Sequence, residues 1–559
     1  MVLLVLGRAA QDAASQAYPV RGTVVDSVTH QPIARALVDS HQQGAVLTDN
    51  DGHFEFNLPA GSISFMVRRP GYEPMRNEFR DHTVRVGPNM PELTFTLTPE
   101  ALITGQITLS TADPADGIRV IAYHKHLVNG HPQWTIQNMA TTNSEGIFRI
   151  ARLPPGDYIL YTESARGRTG PILADAQTFG YPPVYYPGTA DISSSAVLTL
   201  TPGQHAQADF TLTRQRYYPV TFLVSDPQAA GRMNFQINDA AGHLTGFPVR
   251  WNAMQGIVQA SVPNGHYFLE ANGGANIRIS FAEGFTARLN GDSGQMYGRA
   301  EFTVANAPLS SLRLSLISLR SILVNLHRDF TVSGNPSQLS GFLGNPNDLN
   351  QAPMLSLVPA DELFAQRSSS GMLRPIPGST DGNTFELPSI SPGRYWVVTT
   401  YNLGYVSSIT CGGVDLAREP LTIGPSGVSA PIDITLRNDI GSISGQIKTQ
   451  NSASNPLNGQ TSAPLGEQPQ IYIYAIPLFS SSGNLPEGHQ TSGGQFSITN
   501  LAPGSYRVLA FDAQQEIDFH TPQGIAKYTG KGQDITVEAG GTASAQIDLI
   551  QTGETEPQP

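Results

Sequence analysis

Apolar and polar residues alternate along much of the chain. In His53-Phe54-Glu55-Phe56-Asn57-Leu58 every second residue is apolar, which places Phe54, Phe56 and Leu58 on one face of a strand. The turn Pro59-Ala60-Gly61 follows, with proline presetting φ and glycine supplying the positive φ of a reversal. This strand–turn–strand unit returns as Phe148-Arg149-Ile150 running into Pro155-Gly156-Asp157-Tyr158, and as Phe496-Ser497-Ile498 running into Pro503-Gly504-Ser505-Tyr506. Weaker copies run from Ile257 to Pro263-Asn264-Gly265-His266-Tyr267 and from Phe385 to Pro392-Gly393-Arg394-Tyr395. The turn glycines recur roughly every 100 residues, the size of one β-sandwich. Helical periodicity is nearly absent. The pattern therefore predicts an all-β fold, a tandem array of about five Ig-like or transthyretin-like β-sandwiches.

The expected domains are 18–99, 100–214, 215–316, 317–438 and 439–551. Residues 1–17, with the apolar run Val2–Leu6 and the small residues Ala13-Ala14-Ser15, are expected to be a leader or partial signal peptide. Residues 552–559 are polar and proline-bearing and are expected to form a disordered tail. Asp361-Glu362-Leu363-Phe364 is the best short-helix candidate. Tyr158, Tyr267, Tyr395 and Tyr506 each follow a turn glycine (Gly156, Gly265, Gly393, Gly504) by two, whereas Gly61 is followed by Ile63. The tyrosines resemble the tyrosine corner of Greek-key sandwiches, whose hydroxyl bonds back to upstream backbone.

The first 100 residues carry a more specific set of motifs. Gly22-Thr23-Val24-Val25-Asp26 is followed by Pro32-Ile33-Ala34-Arg35-Ala36-Leu37-Val38 and Thr48-Asp49-Asn50-Asp51-Gly52-His53-Phe54. Leu58-Pro59-Ala60-Gly61, Gly71-Tyr72 and the closing strand Leu93–Leu97 complete the set. This stretch resembles the carboxypeptidase regulatory-like domain. The resemblance implies a small transthyretin-like (prealbumin-like) sandwich, related in fold to carbohydrate-binding sandwiches and appended to metallocarboxypeptidases without holding their zinc. Ile103-Thr104-Gly105-Gln106-Ile107 and Ile443-Ser444-Gly445-Gln446-Ile447 repeat the glycine of the first strand. The second domain has two insertions, His124 to Gln137 and Gly180 to Thr189; the latter resembles a segment of multidomain bacterial secreted proteins with such repeats.

Charge narrows the function classes. Charged residues make up 14% of the chain, the net charge is −12, and no long basic run exists to neutralise phosphates, so nucleic-acid binding is excluded. The 13 histidines form neither His-x-x-Glu nor His-Glu-x-x-His, so a zinc peptidase lacks its ligands. The single cysteine, Cys411, excludes an intrachain disulfide and a thiolate zinc cage, and its surroundings suggest a small buried or loop residue.

His124, His126 and His131 could ligate a metal, but with no acidic partner nearby a solvated loop is the favoured assignment. Asp49-Asn50-Asp51-Gly52 reads as a hairpin turn rather than a calcium loop, because Phe54 and Phe56 occupy the later ligand positions. Gly291-Asp292-Ser293-Gly294 mimics a serine-protease loop without the context of a triad.

The aromatics Trp134, Tyr181, Tyr185 and Tyr186 are the surface candidates, suited to stacking on sugar rings, docking a partner or covering the edge of their own sandwich. No cofactor is expected, and no run is long enough for a membrane helix. The expectation is a non-catalytic envelope or extracellular protein acting in adhesion, scaffolding or ligand presentation. A polysaccharide-binding protein is the alternative, and a metal-assisted hydrolase using the His124 loop the third. The partner would be a polysaccharide or another envelope protein.

Overall fold

A computed structural model describes residues 17–40, 44–73, 82–88, 90–163, 178–273, 277–280, 286–289, 295–331, 352–362, 369–371, 373–376, 382–388, 390–448, 471–490, 494–512 and 514–551. Residues 1–16 of the expected leader, the tail, Gly291-Asp292-Ser293-Gly294 and Leu363-Phe364 lie outside the described residues, and Ala17 begins the first strand.

The chain is all-β, a tandem array of β-sandwiches. Five hydrophobic cores succeed one another along it, drawn from residues 20–97, 101–212, 217–314, 322–436 and 443–547. One strand plan recurs. The opening strands Ala17–Asp26, Ala101–Leu109, Gln215–Val224, Ile322–Arg328 and Gly441–Lys448 each pair antiparallel with the strand before the Pro–Gly turn. Each also pairs in parallel with the closing strand of its own module. A module closed by its two ends is a packing unit of its own, and the sheet of the third is extended by Thr178–Gly180 of the second sandwich, which pairs antiparallel with Gln215–Tyr217.

The glycine of the opening strand has a steric cause. Gly22, Gly105 and Gly445 sit directly opposite Phe54, Phe148 and Phe496. A Cβ at Gly22 would stand 2.5 Å from the Phe54 ring, and at Gly105 2.6 Å from the Phe148 ring. The missing side chain lets the aromatic ring lie across the strand into the core, where Phe54, Phe148 and Phe496 are buried. The third and fourth sandwiches lack this pair, with Val258 opposite Phe222 and Phe385 opposite Val324.

At the turns, Gly61, Gly156, Gly265 and Gly504 have φ of 145°, 139°, 153° and 152°, a region that side chains rarely adopt. Tyr158, Tyr267 and Tyr506, beyond the last three of these, and Tyr395, beyond Gly393, are buried and turn their hydroxyls back. Tyr158 donates to the Pro154 carbonyl (2.6 Å), Tyr267 to Asn264 (3.2 Å), Tyr395 to Ser391 (3.0 Å) and Tyr506 to Ala502 (2.7 Å). In the Asp49–Gly52 turn, Asp49 Oδ1 accepts from the amides of Asp51 and His53 and so caps the hairpin itself.

Candidate functional site

Burial departs from alternation on the second and the fifth sandwich. In the first sandwich Leu93–Leu97 reads buried, exposed, buried, exposed, buried. In the second, Val120 to His124 and Tyr158 to Thr162 are buried without a break. The fifth does the same at Ile473–Pro477 and Val508–Phe511. A strand buried continuously has something packed on both faces. On the second sandwich the additional layer is a cluster of Ile121, Tyr123, Trp134, Ile159, Tyr161 and Tyr185, outside the main core. The fifth has its counterpart in Tyr474, Ile476, Leu509, Phe511, Ile517 and Phe519.

The two insertions of the second sandwich build this layer. The first forms a long hairpin from the strands Arg119–Val128 and His131–Thr141. Asn129 (φ 51°) and Gly130 (φ 78°) make a two-residue turn with both residues left-handed, which suits the Asn-Gly pair. His124 and His131 are therefore strand residues and buried, at 5% and 6% exposure, which corrects the solvated loop. His124 stacks on the Tyr158 corner (centroids 4.7 Å, 23°) and lies 5.8 Å from the His126 ring, while His126 Nδ1 is 3.1 Å from Thr135 Oγ1. Among the described residues no three His, Cys, Asp or Glu side chains converge to hold a metal ion.

The tip of this hairpin reaches sandwiches far along the chain. His131 is held between the Trp396 ring of the fourth sandwich (4.6 Å, 6°) and the His520 ring of the fifth (4.2 Å, 3°). Gln133 Nε2 donates to the Pro359 carbonyl (3.0 Å), the Leu127 amide donates to Glu516 Oε2 (2.9 Å), and Lys125 pairs with Glu362 (3.0 Å). Gly130 packs so closely on the fifth sandwich that a Cβ there would stand 2.8 Å from the His520 ring and clash with the edge of the Phe519 ring. The fourth and fifth sandwiches are also joined directly. The Thr399 amide donates to Ser482 O (2.7 Å), and Asn500 Nδ2 donates to Tyr401 O. Arg437 grips Asp439 with two nitrogens (3.0 and 2.7 Å), and this holds the Asp439 carboxyl below the ordinary range.

The second insertion docks the third sandwich. Tyr185 is 1% exposed, and its hydroxyl donates to Asp239 Oδ2 while lying 2.6 Å from His243 Nδ1. With the hydroxyl proton committed to Asp239, Nδ1–H of His243 is the donor to the Tyr185 oxygen. Asp239 Oδ1 accepts from the His243 amide (2.8 Å), and the His243 ring stacks on Tyr123 (4.4 Å, 19°). Burial raises the Asp239 carboxyl, and burial together with the Asp239 charge raises the Tyr185 phenol further.

Of the four aromatic candidates, then, Tyr185 and Trp134 (8% exposed) are enclosed and present no open face, because the domains meet over them. Tyr181 and Tyr186 are half-buried against the main core of the second sandwich. The residues that sequence reasoning passed over are Trp396, Glu516, His520, Asp239 and His243. Two signals pointed their way: the Asn129-Gly130 hairpin dipeptide, and the unbroken apolar runs Val120–Tyr123 and Tyr158–Tyr161.

Residues 19–98 match the carboxypeptidase regulatory-like domain. No curated protein matches the chain. Among solved structures the chain is similar to the Bacillus anthracis TIE protein, at 10% identity over 77% of this chain and 75% of that one, with a TM-score of 0.15. It is also similar to a streptococcal ancillary pilin, at 11% identity over 53% of this chain and 99% of that one, with a TM-score of 0.17. The major pilin subunit of Bacillus cereus aligns at 10% identity over 61% of this chain and 99% of that one, with a TM-score of 0.14. Likeness at this level says nothing of activity or partners.

Proposed function

We propose that the protein is a non-catalytic scaffold of the bacterial envelope or the surrounding medium, which holds β-sandwiches in fixed relation for adhesion or ligand presentation. The expected boundaries 18–99, 100–214, 215–316, 317–438 and 439–551 delimit its modules in this proposal. The observation that carries it is the hairpin tip of the second sandwich seated between Trp396 and His520. Both insertions of that sandwich are committed to neighbouring domains, which is how a chain spends its loops when relative orientation matters more than a loop-borne site. No helix among the described residues is long and apolar enough to cross a membrane.

The polysaccharide-binding alternative loses Trp134 and Tyr185 as stacking platforms and retains only the half-buried Tyr181 and Tyr186. Fractionating native cells with an antibody to the chain, and binding the purified protein to isolated envelopes and to a glycan array, tests the proposal. Envelope or medium location with envelope binding supports it. A purely cytoplasmic pool that binds neither envelopes nor glycans overturns it, and glycan binding abolished by Tyr181→Ala with Tyr186→Ala moves the assignment to the alternative.

A further inference from the structure

We propose that the contact joining the second sandwich to the fourth and fifth is a proton-operated latch, closed while the stacked imidazoles of His131 and His520 are neutral and released when they charge. Three rings lie face to face, Trp396, His131 and His520, each contributed by a different sandwich and separated by 4.6 and 4.2 Å. The stack is the seam itself. Two imidazolium ions at such a distance in a buried contact repel, and even one must shed its water to remain there. Undocking lets both rings hydrate, so the open form takes up protons that the closed form refuses.

Charged and titratable groups lie on each of the three elements that form the stack. The hairpin contributes His124, Lys125 and His126, and Lys125 is tied to Glu362. The fourth sandwich contributes Glu362, and Arg394 two residues before Trp396 on the same strand. The fifth contributes Glu516, which accepts from the Leu127 amide, and Asp518, which accepts from the amides of His520 and Thr521. Burial, and after it the His520 ring, pushes His131 down to about 3. Burial also lowers His520, with the Asn129 backbone and the Asp518 charge offsetting part of the effect.

The sign follows directly. A base whose closed-state pKa is depressed stabilises the closed state fully above its free value near 6.5, and that stabilisation fades as pH falls toward the closed-state value. Taking His131 from about 6.5 to about 3, docking weakens on the order of thirtyfold between pH 7.5 and pH 5.0 from this ring alone.

Small-angle scattering on the full chain at pH 7.5 and 5.0, with far-UV circular dichroism in parallel, tests the latch. The expected result is a reversible increase in radius of gyration at pH 5.0 with the strand signal intact. His131→Phe with His520→Phe keeps stacking rings without a titrating nitrogen, and should hold the same radius at both values. Hydrogen exchange of the wild-type chain gives a readout free of any variant: residues 125–133 and 514–521 should lose protection at pH 5.0 once corrected for the intrinsic rate. An unchanged radius and unchanged protection at pH 5.0 overturn the proposal. So does a double variant that expands in acid as much as the wild type, since other groups would then carry the response.

Discussion

Removing one hydroxyl from each of two touching tyrosines should change stability in opposite directions. Tyr161 and Tyr185 lie with ring centroids 4.6 Å apart in the same enclosed cluster. The Tyr185 hydroxyl serves Asp239 and His243, whereas the Tyr161 hydroxyl is buried with no hydrogen-bond partner among the described residues. Tyr185→Phe deletes a hydrogen bond to a buried carboxylate, a loss of about 1.5–3 kcal/mol. Tyr161→Phe deletes only an unsatisfied donor while keeping the ring, and should be neutral or stabilising by about 1 kcal/mol. Across two docked sandwiches of roughly 200 residues, 1 kcal/mol moves Tm by about 2–4 °C. The Tyr185 variant should therefore melt about 4–8 °C lower at 2 kcal/mol, and the Tyr161 variant up to about 4 °C higher. Calorimetry of the two variants beside the wild type measures both. A cycle with Asp239→Asn should return a coupling energy of about 1 kcal/mol or more for the Tyr185–Asp239 pair. Equal shifts for the two tyrosines, or a Tyr185 variant within about 0.5 kcal/mol of wild type, would refute the assignment of the hydroxyl as the docking contact.

Four further outcomes test the modules themselves. Gly105→Ala would drive a Cβ onto the Ala208 carbonyl and the Phe148 ring, and should cost about 1–3 kcal/mol or more in urea denaturation. Gly87→Ala, with nothing within 4 Å of its Cβ among the described residues, should stay within about 0.5 kcal/mol of wild type in the same assay. Tyr506→Phe loses the bond to the Ala502 carbonyl and should lower the stability of the fifth sandwich by about 0.5–1.5 kcal/mol, measured by the same melts. Cys411 is buried, donates to the Ala430 carbonyl (3.3 Å) and has its thiol pushed up chiefly by burial. Ellman's reagent at pH 8 should react with it at least about tenfold more slowly in the native protein than in urea.

The modules were legible because their cause is local. Phe54 and Phe56 two residues apart, the Pro–Gly reversal, and Gly22 with its repeats at Gly105 and Gly445 all express packing within one sandwich. The docking surfaces were not, because their partners lie hundreds of residues away: Gln133 meets Pro359, and Leu127 meets Glu516. Trp134 and Tyr185 show the difficulty most plainly. An aromatic residue with a polar tip suits an exposed ligand platform and an enclosed domain seam equally well, and residue type alone does not fix burial. The runs Val120–Tyr123 and Tyr158–Tyr161 carried the missing information, since a sheet with a wet outer face does not keep four apolar or aromatic residues in succession.

The titrating groups singled out at the two seams of the second sandwich, Asp239 at one and the His131–His520 pair at the other, should respond to acid with opposite signs. At the seam with the third sandwich the buried titrating carboxylate is Asp239, raised by burial. A raised carboxyl contributes stability that is fully present below its unfolded value near 3.9 and is lost as pH rises through the folded one, so lowering pH toward 5 does not weaken this contact through Asp239. At the seam with the fourth and fifth sandwiches the titrating groups are depressed imidazoles, and the contact weakens over the same interval. Hydrogen exchange at pH 5.0 should therefore keep residues 183–191 and 237–243 protected while residues 125–133 open. Simultaneous loss at both seams would mean that acid unfolds the second sandwich as a whole, and the distinction between a carboxylate seam and an imidazole seam would fall.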